Sequence, residues 1–408
     1  MAEIPFEALL IALETTAGTA VEPTHYLPLT GTLNPAVERY RPDEARGTLV
    51  EAYRSKIVRQ WGEWSGEGPL ETYLLPVLLN MVATGNMTSQ PTTPGGATNS
   101  RLWTFTPAIT TNDLKTATIF WGDRNAQMFR GTFATVDELT ITADASSTDG
   151  SSISVSGHTQ FPGYATFTVT GITKANPGVV TTSAAHGLLA GAKVRLIDVG
   201  GMTEVNDTIF TVASPSGSNF SLSGVNTTSY TTYTSGGTVE VVAPVFPAIL
   251  SAPLISGSGM QMWLDTGSDD IGDTEITGRL ISAEHVIPVN YGYKYLAVGP
   301  SGSKTYTRVG RGKRSATTRV TLELTDLEQY KLFVDGTDVK LRIRHNGDLI
   351  EGSLYHYVEV DTYGPMTFTD WGELEGTNRT LTLEVMSQYD STLGADWSIK
   401  VQNDRTAL

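Results

Sequence analysis

Two stretches of this chain have nearly the same pattern: "TIFWGDRNAQMFRGTFATVDELTI" (residues 118–141) and "RIRHNGDLIEGSLYHYVEVDTYG" (residues 342–364). Each begins with an alternating apolar run and passes a turn rich in Gly, Asn and Asp. Each then continues through a central glycine to an acidic end. Period-two alternation broken by turn residues is the pattern of a hairpin of half-buried strands. Setting Gly131 against Gly352 pairs Phe133 with Leu354 and Glu138 with Glu359.

What precedes each hairpin also agrees. Residues 1–30 read as an extended arm with a turn at Thr24. Residues 47–64, "GTLVEAYRSKIVRQWGEW", alternate as a strand. After them Leu70, Tyr73, Leu74, Val77, Leu78 and Met81 recur at helical spacing, with Pro76 implying a kink or a late first turn and Gly85 a stop. In the second half, "TTRVTLEL" (317–324) alternates as a strand. "TDLEQYKLFVDG" then predicts a short helix with a Thr325-x-x-Glu328 capping box, a buried stripe of Leu327, Tyr330, Phe333 and Val334, and Gly336 as its stop. Strand, helix, hairpin occur twice in the same order, which implies an internal duplication. The first copy carries an additional Thr/Pro/Gly-rich loop at 86–100.

Between the copies, residues 168–240 form a run of short strands. Turns recur at Asn176-Pro177-Gly178, Gly200-Gly201, Ser216-Gly217 and Gly236-Gly237, and Pro162, Pro244 and Pro247 flank the run. This implies an autonomous all-β module inserted through a surface loop. The expected organisation is a first copy over 1–165, an insert over 166–243 and a second copy over 244–408. The fold class is mainly β, with two tandem β-sandwich or barrel domains, each with a short flanking helix.

The composition agrees with β modules. Of 408 residues, 39% are hydrophobic and 17% charged, too sparse a charge for a coiled coil, and 41 are glycine. No cysteine is present, which excludes disulfides and Cys-based metal sites. The net charge of −15 opposes a nucleic-acid-binding reading, because acidic surfaces repel phosphates. "MAEIPFEALLIALETTAG" has no basic n-region, and Glu7 and Glu14 interrupt its apolar patch, so a protein made in the cytoplasm, with no membrane insertion, is expected.

No catalytic signature stands out, whether nucleophile elbow, Walker loop, HExxH or Gly-x-Gly-x-x-Gly. No catalytic, cofactor-binding or metal residues are assigned, and the protein is not expected to be an enzyme. Of the six histidines, His345 and His356 are read as surface or interface packing and His186 as support for a turn. One basic cluster stands out in the acidic chain: "YTRVGRGKRSATTR" (306–319), with Arg308, Arg311, Lys313, Arg314 and Arg319. Its counterpart in the first copy is "ERYRPDEAR" (38–46), with Arg39, Arg41 and Arg46. Such a segment can be a solvated loop, a prong that meets an acidic surface of a neighbouring copy, or a phosphate site. On the prong reading, reversing Arg308, Arg311, Lys313 and Arg314 leaves a folded protein that polymerises poorly.

The opening "ALLIALETTAGTAVEPTHYLPL" (8–29) and the ending "LTLEVMSQYDSTLGADWSIKVQND" (381–404) resemble those of major tail tube proteins of long non-contractile-tailed bacteriophages, and the hairpin–helix core between them is similar. The insert resembles the immunoglobulin-like or small β modules that such proteins carry outside. The resemblance implies a structural virion protein whose stacked rings conduct DNA to the host without gripping it, with no cofactor. It implies the protein itself as main partner, together with tape measure and tail terminator or tip proteins. It also implies inter-ring loops, here the two basic segments. A duplicated member of the family implies three chains per ring with pseudo-sixfold symmetry, the alternative being a hexamer. The lumen would be lined by Asp, Glu, Ser, Thr and Asn, with both helices outside the wall. A β-rich adhesin or carbohydrate-binding protein acting through the insert, and a hydrolase on a β-sandwich, are the rival readings.

Overall fold

The computed structural model describes residues 7–44, 46, 50, 52–83, 91–111, 114–148, 150–267, 269–297, 302, 304–374 and 378–407. Gly85 and residues 86–90 of the predicted loop lie outside them. The chain begins with strands β1 (Glu7–Leu13), β2 (His25–Leu27), β3 (Thr30–Tyr40) and β4 (Lys56–Pro69), then helix α1 (Leu75–Val82). There follow β5 (Arg101–Phe105), β6 (Ala117–Asp123), β7 (Gln127–Ala134), β8 (Glu138–Asp144) and β9 (Ser152–Thr159). The next six are β10 (Thr166–Ile172), β11 (Val179–Thr182), β12 (Lys193–Ile197), β13 (Thr208–Ser216), β14 (Asn219–Leu222) and β15 (Thr238–Ala243). After them come β16 (Met260–Thr266), β17 (Leu280–Pro288), β18 (Tyr291–Lys294), β19 (Arg308–Arg311) and β20 (Thr317–Glu323), then α2 (Glu328–Val334). The chain closes with β21 (Asp338–Glu351), β22 (Leu354–Leu374), β23 (Asn378–Met386) and β24 (Trp397–Asn403).

Strand pairing follows a similar order in the two halves of the chain. In the first copy β1 pairs β6 and β6 pairs β7 in one layer, while the other layer runs β3-β4-β9-β8. In the second copy β16 pairs β21 and β21 pairs the first part of β22, while the other layer runs β17-β20-β23 and the second part of β22. The single bent strand β22 thus takes the place of β7 and β8 together. It turns at Gly364, whose φ is +154°; a Cβ there would lie 2.0 Å from the Met386 carbonyl oxygen. Only a residue without a Cβ fits so close an approach.

This topology corrects the residue-by-residue matching of the copies. Gly352 (φ +57°) is the turn between β21 and β22, whereas Gly131 lies within β7 and the corresponding turn is at 124–126. The motifs are equivalent as hairpins and are offset in register. Glu138 lies on the wall layer, while Glu359 is buried in an ion cluster where it accepts from Arg344 and Lys400, beside the bidentate Arg342–Asp361 pair. From Glu7 on, the N-terminal segment is likewise no extended arm; residues 1–6 lie outside the described residues. The continuous apolar run of β1 buries Leu9, Leu10 and Ile11 and pairs along its whole length with β6. A strand apolar on both faces belongs between layers.

Helix α1 has the predicted late first turn, with Pro76 inside it, where a missing N–H costs nothing. All eight of its residues are buried. At α2 the expected capping box does not form. Asp326 instead accepts from the Glu328 N–H, and Thr325 donates to Asp326. Gly336 (φ +65°) ends the helix, with Gly336 N donating to the Phe333 carbonyl and Thr337 N to that of Leu332, a Schellman closure. The expected stripe is half right. Tyr330 and Phe333 pack with Phe368 and Trp371, but Leu327 is 50% and Val334 61% exposed.

The copies share a core. Leu9, Trp64, Leu78 and Ile141 pack in one cluster with Ile287, Val358, Trp397 and Val401 from the second half. Strand β24 joins β22 to β5, so the chain's last strand ties down the first copy. Glu351 accepts from the N–H groups of Thr98, Asn99 and Ser100, anchoring the end of the first copy's additional loop on the second copy's hairpin.

The insert differs from an immunoglobulin-like sandwich. Its six strands close into a barrel, β10-β11-β14-β13-β12-β15 and back to β10. Register shifts in β10, β12 and β13 bend these strands and allow closure, which leaves the module no free edge. Its core is its own, with Val194, Leu196, Phe220 and Val239 fully buried. His186 supports a turn as expected, bonding the Asn219 carbonyl and accepting from Leu188 N.

Candidate assembly wall

The β8–β17 pairing at the seam fuses the two wall layers into one sheet, β3-β4-β9-β8-β17-β20-β23-β22. One face is the core side, with Leu33, Trp64, Val155, Ile141, Ala283 and Leu383 buried. On the other face the ladders line up polar side chains strand by strand. One row runs Ser152, Thr142, Glu284, Arg319, Glu384 and Thr367; another runs Thr32, Ser65, Ser156 and Glu138. Two shallow depressions of about 310 and 510 Å³ open on this face, lined mainly by Ser, Thr and Glu and both touching Glu67.

The charge on the face is lopsided. Among the described residues, Glu63, Glu67, Glu138, Asp144, Glu284 and Glu384 outnumber the cations beside them: Arg59, which pairs with Glu38 at 3.3 Å, and, nearer the centre, the guanidinium of Arg319. That group lies between Glu284 at 2.9 Å and Glu384 at 3.0 Å and is neutralised there. At one end of the face His158 pairs with Asp137, which also accepts from the Tyr293 hydroxyl. Burial disfavours the charged imidazole, but the hydrogen bond and charge of Asp137, with Glu63, outweigh it and hold the pKa above the ordinary value.

The two outer edges of the wall are β3 and the second part of β22. Among the described residues each pairs on one side only, β3 with β4 and residues 366–374 with β23.

The predicted site residues divide into two groups. Arg39 and Arg41 are exposed at and just past the end of β3; Arg46 is exposed, pairs with Glu44 and lies over the Tyr53 ring. Arg308 is exposed on β19, and Lys313 is exposed in the connection to β20. Arg311 and Arg314, by contrast, are internal struts and not a free prong. Arg311 donates to the carbonyl of Val82, the last residue of α1. Arg314 donates to the Ala108 carbonyl at 3.1 Å and to Asp396 at 3.2 Å. The cause is the fold of the segment, in which β18 and β19 form a hairpin laid across the first copy. Beside Arg311, the Tyr291 hydroxyl bonds the Met81 carbonyl. The C-terminus of α1 thus receives a cation and a donor, as helix ends favour.

The histidine readings also change. His345 and His285 are fully buried between the layers of the second copy, their Nε2 atoms 3.1 Å apart, with His285 Nδ1 on Thr318. His356 is buried against Thr72. Neither burial was legible, because a lone His in an alternating strand looks the same on either face.

The barrel stands on the side away from the polar face. Ala243 and Phe246 lie with Ala8, Leu10, Phe120 and Met128 on the outer face of the β1–β6–β7 layer. Lys193 donates to Asn125 (2.6 Å), Arg195 to the Ala126 carbonyl (3.1 Å) and Gln127 to the Val241 carbonyl (2.9 Å), which fixes the barrel on the turn of the first hairpin. Residues 175–243, most of this barrel, match the family model of the ubiquitin-activating enzyme E1 FCCH domain. The match covers the barrel alone. Comparison with curated proteins finds no match for the chain.

Proposed function

We propose that the protein is a structural subunit that closes into stacked rings and forms the tail tube of a long non-contractile-tailed bacteriophage. One observation carries the reading: a single wall built from two repeats, acidic and hydroxyl-rich on one face and open at both lateral edges. An open strand edge is a template for another chain. The seam at β8 and β17 is a worked example of how one repeat joins the next. Repeating that join between β22 of one copy and β3 of another is a head-to-tail contact, and head-to-tail contacts close into rings when the rotation allows. Three chains then supply six repeats. The acidic face, turned inward, repels phosphates and lets DNA pass, since adhesion to DNA comes from cations that displace its counterions. The barrel decorates the outside, and tape measure and tip proteins are the partners at the ends. The exposed basic residues Arg39, Arg41, Arg46, Arg308 and Lys313 remain candidates for contact between rings.

Negative-stain microscopy of the purified chain tests this, with native mass measurement of a single ring. Hollow tubes or rings of three chains are expected. Dispersed monomers at high concentration would overturn the tube, and six chains per ring would overturn the shared wall.

A further inference from the structure

The seam inside the chain is a template for a contact that the chain cannot complete alone. At the end of β17 and just past it, the chain carries Ile287, Val289 and Tyr291 across to α1. Ile287 and Val289 are buried in one cluster with Leu78, Met81 and Val82. The helix of the first copy is fully covered as a result.

The helix of the second copy has no such cover among the described residues. Leu327 (50%), Val334 (61%) and Trp371 (38%) stand exposed on its flank. At the opposite end of the wall, β3 is the counterpart of β17. The pairing of Thr32 with Ser65 corresponds to that of Glu284 with Arg319, and this places Val37 at the position of Val289. Where Val289 is fully buried, Val37 is 43% exposed, and Val58, passed over at the register shift of β4 next to Glu38, is 42% exposed. Charge agrees with apolar surface. The β3–β4 hairpin carries an excess of cations, Arg39, Arg41 and Lys56 beside Arg54 and Arg59, which pair with its own Glu44 and Glu38, while Glu328, Asp335 and Asp370, with Lys331 among them, are exposed around α2.

We propose that the exposed flank of α2 is the docking site for the β3–β4 hairpin of a second copy of this chain, seated as the β17 extension is seated on α1. The proposal rests on the ring reading above and names the side-chain contact by which one copy meets the next. The contact is continuous with the seam between repeats, and its two halves lie at opposite ends of one chain.

Two double variants test it, each altering exposed side chains and so leaving the fold intact: Val37→Asp with Val58→Asp, and Leu327→Asp with Val334→Asp. Sedimentation and native mass spectrometry follow each variant alone, then a 1:1 mixture. Each alone is expected to lose self-association by about tenfold or more. The mixture is expected to give a dimer and nothing larger, since one intact flank meets one intact hairpin and both outer ends are blocked. Variants that self-associate as the unaltered chain does, or a mixture without the dimer, overturn the docking site. A dimer in the mixture, with an unaltered chain that closes into something other than a hollow tube, keeps the docking site and overturns the tube.

Discussion

Arg308 and Arg311 lie three positions apart in entirely different surroundings. The first is exposed, while the second donates to the carbonyl that ends α1. Arg311→Ala is therefore expected to cost about 1.5–3 kcal/mol, the worth of a charged hydrogen bond. Arg308→Ala is expected to change stability by no more than about 0.5 kcal/mol. Urea unfolding of the two variants checks this. Reversing both together with Lys313 and Arg314 then unfolds the chain instead of sparing it, so an assembly test must be confined to Arg308 and Lys313. The sequence shows that these side chains are basic but not which carbonyl lies beside them. The histidines divide in the same way. The raised pKa of His158 gives stability that is complete below its unfolded value near 6.5 and is lost as pH rises through the folded value. Burial lowers the pKa of His285 well below the ordinary value, with His345 adding to it, and burial takes His345 to about 4. The stability tied to that pair is present above pH 6.5 or so and is lost as pH falls toward 4. Thermal unfolding against pH is expected to show His158→Gln destabilised at pH 6 more than at pH 9. His345→Leu is expected to flatten the acid limb. The opposite slopes would show that the two environments had been assigned the wrong way round.

At the scale of elements, legibility depended on what sets each one. Periodicity located β20, both helices and both hairpins, because a face repeated every two or 3.6 residues reports burial directly. Register was not legible: the two hairpins differ in where the turn falls, and glycines placed alike in sequence serve one as a turn and the other as a strand residue. Caps were half legible. Gly336 ends α2 as its position implied, but at the start Leu327 holds the cap position, and Asp326 just before it, not Thr325, accepts from the Glu328 N–H. Asp326→Ala is expected to cost about 1 kcal/mol, with Thr325→Ala nearly silent, in chemical denaturation of otherwise identical proteins. Gly364 was an unmarked glycine in the sequence and is the bend that lets one strand serve two layers. Gly364→Ala is expected to cost about 2–3 kcal/mol, since its methyl would meet the Met386 carbonyl; an unchanged unfolding midpoint would mean that β22 bends elsewhere.

For the whole molecule, composition and order of elements gave the β class. They could not give the shared core, since nothing local says that β24 will lie between β22 and β5 or that β17 will pair with β8. The closed barrel makes a clean deletion possible. Removing residues 168–240 while keeping 241–246 over Phe120 and Met128 is expected to leave particles of unchanged diameter at the wall and thinner outside, as microscopy would show. Loss of the fold would mean that the barrel braces the first hairpin and is more than an ornament upon it. The seam between β8 and β17 also bears on time. In the proposed ring every second join is made within one chain as it folds, at a rate indifferent to dilution, and only the alternate joins await a collision. Growth from such double-length units has half as many encounters to survive as growth from single repeats, so rings can still close at concentrations where a split version of the same chain would remain in pieces.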